Sequence, residues 1–252
     1  MNTIVDFPSL VFALSFIALW LAAIVGAFVS KKWKPLGEDQ REGFGVVQGA
    51  VLTLLGLLIG FTFSMAINRF EQRKNYEEDE ANAIGTEYIR LGLLPAPDAE
   101  RARGLLRTYL DERVLFYTSS YGKPLQQIDH DTAQLQNELW SAVQSRAGVQ
   151  PTAMVALAVS GMNDVLNAQG YTQAAWWNRI PLEAWFLLAA IAIGCNLLIG
   201  YGAPRTSALL IVFPLAVSVS FFLISDIDSP RRGLIRVPPQ ELVRLSQTLH
   251  GQ

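Results

Sequence analysis

Cysteine is almost absent from this 252-residue chain: Cys195 stands alone, so no intrachain disulfide is possible. It lies inside a long apolar run, where a lone thiol reads as a small apolar packer. Histidine is nearly as scarce. His130 and His250 are far apart and neither has metal-ligand spacing. Asp129-His130-Asp131 places neighbouring side chains in different directions on a helix, so it reads as a solvated face. A Gly-rich phosphate loop, a nucleophile elbow and a zinc signature are all missing. The chain is therefore not read as an enzyme: no catalytic residue, resident metal or cofactor is assigned. Lys and Arg (20) do not outnumber Asp and Glu (22), so there is no basic field for nucleic acid.

Charge is missing in blocks. Only 17% of residues are charged and 51% are hydrophobic, and the apolar ones cluster in four runs, 10–30, 46–67, 180–200 and 208–225. Glu183, at the edge of the third, is the single formal charge among them. Four such runs predict an integral membrane protein in contact with membrane lipid. The first run lacks a basic segment before it and is followed at once by Lys31, Lys32 and Lys34, which favours a retained helix over a signal peptide.

Helix breakers are missing where they would matter most. Between Gly60 and Gly85 there is neither Gly nor Pro, so nothing stops the second span at the membrane surface. Its apolar part, 46–67, would be about 33 Å long, enough for a hydrocarbon core of about 30 Å. The polar part continues the same rod until Pro95 and Pro97. Residues 68–179 show helical periodicity and no strand alternation, with stripes such as Leu105, Leu106, Tyr109, Leu110 and Val114. Asp98 is placed to cap one helix, Pro124 to begin a second, and a third is expected from Thr152 to about Ala175. The segment GAPRT makes an antiparallel hairpin of the last two spans, and Pro238-Pro239 starts a short amphipathic helix.

The expected fold is thus all-α and integral to the membrane: four transmembrane helices plus a helical cytosolic domain continuous with the second span. The divisions are 1–67, transmembrane helices one and two; 68–179, soluble domain; 180–228, transmembrane hairpin; and 229–252, the tail. An even number of spans puts both termini and the soluble domain on one side. Eight basic residues near span ends mark that side and five the other, which favours a cytoplasmic domain, although the Lys31–Lys34 cluster argues the reverse.

The second span has two faces. Thr53, Gly56, Gly60 and Ser64 form a small-residue face suited to close helix packing. Leu52, Leu55, Ile59, Phe63, Ala66 and Phe70 form an apolar stripe beside it. Around a shared axis the small face would pack on the next subunit, and the stripe would make rings that close a pore by dewetting. In the alternative, both faces pack within one subunit. Beyond the membrane, Arg69, Arg73, Glu77 and Glu80 would form a charged vestibule, or the face of a solvated stalk. Asp226 and Asp228 are weak candidates for a cation, two carboxylates being few for calcium; pairing with Arg231 or Arg232 is the competing reading.

The runs LLGLLIGFTFSMAINRFEQRKNYEEDEANAIGTEYIRLGLLP, LLRTYLDERVLFY and LISDIDSPRRGLIRV resemble the bacterial bestrophin-like domain membrane proteins, a family of unassigned function. The resemblance spans residues 49–237, with EANAIGTEYIRL and DIDSPRRG its most specific parts. Through that family the chain is distantly similar to bestrophins: homopentameric, mainly anion-conducting channels whose second span lines a hydrophobic neck and continues into a cytosolic helical domain. The resemblance implies Leu55, Ile59 and Phe63 as neck residues, a homopentamer, inorganic ions of chloride-like type as the permeating partner, and the bacterial inner membrane. The Asp226–Asp228 segment is sparser than the acidic calcium clasp of animal bestrophins. The rival reading is a non-conducting scaffold or sensor whose helical domain binds a partner.

Overall fold

In the computed structural model, residues 4–32, 38–119, 124–202 and 207–251 are described. The GAPRT turn falls largely on 203–206 and, like Trp33 and Lys34, lies outside them. Among the described residues there are eight α-helices and no strand: α1 (Pro8–Lys32), α2 (Glu38–Arg90), α3 (Ala96–Thr118), α4 (Leu125–Val149), α5 (Ala153–Trp177), α6 (Leu182–Gly202), α7 (Leu209–Asp228) and α8 (Gln240–His250).

The boundaries follow from local chemistry. α2 runs 53 residues because no proline interrupts it, and it is already helical from Glu38, ahead of the apolar run that begins at Val46. A 3₁₀ turn at Leu91–Leu93 and then Pro95 end it. Pro95, not Asp98, flanks α3; Asp98 sits in the first turn, where its charge favours the helix N-terminus. Pro124 likewise flanks α4 rather than beginning it. Thr152 caps α5, its hydroxyl accepting from the Val155 N–H at 3.2 Å.

Four stretches are long and apolar enough to cross a membrane; α1, α2, α6 and α7 supply them. The chain divides into two compact units. The first comprises 1–70 and 179–236, the second 71–178 and 237–252, so the tail expected as one piece is split at Arg236. α2 contributes to the first unit through Phe70 and to the second from Glu71.

In the first unit α1 packs on α6 and α7. Gly26 and Gly200 make the close approach: a Cβ on Gly26 would strike the Leu197 carbonyl oxygen, and one on Gly200 the Ala23 carbonyl oxygen. Ala22, Ala23 and Ala27 complete this small-residue seam on α1, which van der Waals contact holds in an apolar solvent. The remaining core joins Leu55 and Ala66 of α2 to Trp185, Leu188, Phe221 and Ile224.

The second unit is organised around a buried stripe on α2, Ala81, Ile84, Tyr88 and then Leu91, which explains the EANAIGTEYIRL run as core. Trp176 packs here on Phe116 and Tyr117, with ring centroids at 4.9 and 5.3 Å. Its neighbour Trp177 is exposed.

Candidate functional site

The charge-free part of α2 presents one face to its own bundle and leaves the other open. The buried face is the apolar stripe. Leu55 is 2% exposed and Ala66 0%, while Leu52, Ile59, Phe63 and Phe70 lie half-buried against the same core. Side chains consumed by the chain's own core have little left to line an opening, so the sequence expectation for Leu55 and Ala66 needs correction. The open face carries Thr53, Leu54, Gly56, Leu57, Gly60, Phe61, Ser64, Met65 and Asn68. Leu57 is 53% exposed and Phe61 68%. Gly56 and Gly60 have nothing within 4 Å of where a Cβ would stand, so no neighbour within the chain uses these small residues for close approach.

Where α2 leaves its apolar stretch, the expected ring of charge becomes internal wiring. Arg69 lies 3.6 Å from Asp228. Arg73, 1% exposed, donates to the carbonyls of Ala175 at 3.2 Å and Asn178 at 3.3 Å, closing the end of α5. Glu77 accepts from the backbone N–H groups of Glu241 and Leu242 at 3.0 and 2.9 Å. It thereby caps α8, a helix whose Pro239 flank has no side-chain donor or acceptor to offer. Burial raises the Glu77 pKa, and those two N–H donors oppose the rise.

Glu80 forms a buried ion pair with Arg113 through Nε, and accepts from Arg113 Nη2 at 3.4 Å and from the Thr172 hydroxyl at 3.0 Å. Burial works against the Arg113 charge, but the adjacent Glu80 carboxylate and the phenols of Tyr109 and Tyr117 together outweigh it and hold the pKa above the usual value. The Phe116 ring, 4.4 Å from the guanidinium carbon, adds cation–π contact. Arg73, Glu77 and Glu80 are thus structural members of the second unit, and the vestibule assignment is corrected for all three.

The DIDSPRRG segment is a polar knot in the first unit. Asp226 accepts from the N–H groups of Leu234 and Ile235 at 2.7 and 2.9 Å, folding the chain back after α7. Asp228 accepts from Arg179 Nε at 3.3 Å and from the Ile180 N–H at 3.1 Å, with Arg69 on its other oxygen. Arg179 also reaches Asp6 at 2.6 Å and the Ser229 hydroxyl at 3.0 Å. The two aspartates therefore serve backbone donors and guanidinium groups, and the positive charge where a cation would sit comes from Arg179 and Arg69. No group of three or more His, Cys, Asp or Glu converges as a metal site among the described residues.

Sequence reasoning missed Glu87. It is 0% exposed on α2, both carboxyl oxygens lack a hydrogen-bond partner, and Gly161 of α5 supplies the space it occupies. Burial lifts its pKa to about 8, with Arg90 pulling down and Asp164 pushing up. The folded chain holds a proton that the unfolded chain releases from its ordinary value of 4.5 upward. Stability should therefore fall as pH rises from about 4.5 to about 8, and level off above. Glu87→Gln keeps the neutral shape, so at pH 8 it is expected to stabilise by on the order of 2 kcal/mol and to flatten that slope. Thermal melts of both proteins across this range check it; an unchanged slope would exclude Glu87 as its source.

Residues 11–242 match the family model for the Bestrophin-like domain. The chain belongs to that family. Bestrophin-like proteins of known structure share its fold. Crystal structures of two mutants of a bacterial Bestrophin homolog from Klebsiella pneumoniae each have TM-score 0.66 and 14% identity over 96% of this chain, covering 99% and 97% of theirs. A structure described as a membrane protein has TM-score 0.65 and 14% identity, covering 95% of this chain and 97% of that one. At this identity the likeness establishes the fold. No protein of curated function matches. The family together with the four apolar helices makes this bestrophin-like chain a membrane protein.

Proposed function

We propose that this protein is a homo-oligomeric, bestrophin-like ion channel in which α2 helices from several copies surround a shared axis. The observation that carries the reading is the open face of α2: half the circumference of a charge-free span, unclaimed by its own bundle. Leu57 and Phe61 form the apolar constriction, and Gly56, Gly60 and Ser64 the edge where the next copy's helix approaches. The half-buried Ile59 and Phe63 stand behind them. A homopentamer, chloride-like anions as the conducted ion, the bacterial inner membrane and a cytoplasmic helical domain with cytoplasmic termini follow from the bestrophin resemblance and from the balance of basic residues.

Reconstitution in liposomes tests this. The parent protein is expected to conduct a chloride-like anion, and Phe61→Ala to raise flux several-fold by removing the ring that keeps the constriction dry. Leu55→Ala, on the buried face, should change folding yield more than flux. No flux from the parent or either variant would favour the scaffold reading, in which the helical domain binds a partner.

A further inference from the structure

Two cavities in the first unit share Val29. One, about 340 Å³, has Gly26 and Leu197 on its α1–α6 side and the rings of Phe44 and Tyr201 as a wall. Those rings sit 5.6 Å apart, tilted at 44°. The other, about 400 Å³, is lined by Phe28, Val29, Lys31 and Lys32. Gly26 shapes the first, because with no side chain there α1 settles onto the Leu197 carbonyl. Lys31 and Lys32 are the last residues of α1, both exposed, and neither has an ion-pair partner among the described residues.

An apolar cavity that shares Val29 with a second one bordered by two lysines has the polarity of a phospholipid. We propose that these cavities form a site for an anionic phospholipid, with an acyl chain in the Gly26–Tyr201 cavity and the headgroup phosphate on Lys31 and Lys32. The apolar part distinguishes lipid from free phosphate. Two ammonium groups with no ion-pair partner among the described residues favour an anionic headgroup over a zwitterionic one, whose own ammonium would be repelled. Lysine suits the task because its stem lies along apolar surface while the ammonium reaches the headgroup layer. The site does not depend on whether the protein conducts.

Native mass spectrometry of the full-length protein in detergent, with phosphatidylglycerol or phosphatidylcholine of the same acyl chains, tests it. The parent is expected to retain phosphatidylglycerol at least about fivefold better, the ratio that about 1 kcal/mol from just one of the two lysines represents. The double variant Lys31→Ala/Lys32→Ala should lose that preference and Lys31→Arg/Lys32→Arg keep it. Leu198→Trp, which fills the apolar cavity, should lower retention of both lipids. Equal retention of the two lipids by the parent, a preference that survives the double alanine variant, or displacement of phosphatidylglycerol by inorganic phosphate would overturn the proposal.

Discussion

Glu80→Ala is expected to destabilise the second unit by about 3–5 kcal/mol, because it leaves the Arg113 guanidinium buried without its counter-charge. Both side chains are 0% exposed, so water cannot take the place of the lost carboxylate. Tyr109, Phe116, Tyr117 and Trp176 enclose the site with aromatic carbon, and burial already lifts the two phenol pKa values above the ordinary range. Arg113→Ala should cost a similar amount and add a cavity under Phe116. The double variant Glu80→Gln/Arg113→Met removes both charges at near-constant volume and should recover most of the loss. Thermal melting of the three variants decides the matter. A double variant that melts below both singles would mean that the single variants' losses do not come from a buried charge left without its partner.

Gly200→Val carries the second large effect. Its side chain would enter the Ala23 carbonyl on the facing helix, and backbone has no rotamer with which to move aside. α1 and α6 must then separate, losing the alanine seam along with the glycine contact, which is expected to cost about 3 kcal/mol or more. Gly194→Val on the same helix is the control, since nothing lies within 4 Å of the position its Cβ would take. Yield of monodisperse protein in detergent should collapse for Gly200→Val and stay near the parent's for Gly194→Val. Equal behaviour would remove the close packing of α1 on α6 as a determinant of the fold.

The spans and the unbroken α2 were legible because they are written in one segment: twenty-odd residues without charge, then a run without Gly or Pro. Which side of α2 is buried was not. In lipid both a leucine stripe and a glycine stripe are soluble, so polarity gives no direction, and only the packing of α6 and α7 on Leu55 and Ala66 supplies it. The small residues on α2 drew attention as a packing motif, while the close helix contact within the chain is made by Gly26 and Gly200.

The charges were misread for a different reason. Arg73, Glu77 and Glu80 put a base one turn before two acids, the pattern of a solvated stalk, and the neighbouring Lys74–Glu78 pair does behave that way, exposed and at 3.6 Å. What buries the first three comes from elsewhere in the chain: Ala175, the start of α8, and Arg113. The same distance hid one partner of Asp228, Arg179 from beyond α5. Glu87 gave no signal at all, because a glutamate between Thr86 and Tyr88 on a polar helix looks like any other until Gly161 closes over it.

Identical α2 helices gathered about one axis are what the channel reading stands on. A particle image of the full-length protein in a lipid nanodisc tests it most directly. It should show a closed ring, five-fold by the bestrophin resemblance, with Leu57 and Phe61 nearest the axis and Leu55 turned into its own subunit. A monomer or dimer, or a ring whose axis is lined by another helix while Phe61 faces lipid, would contradict it.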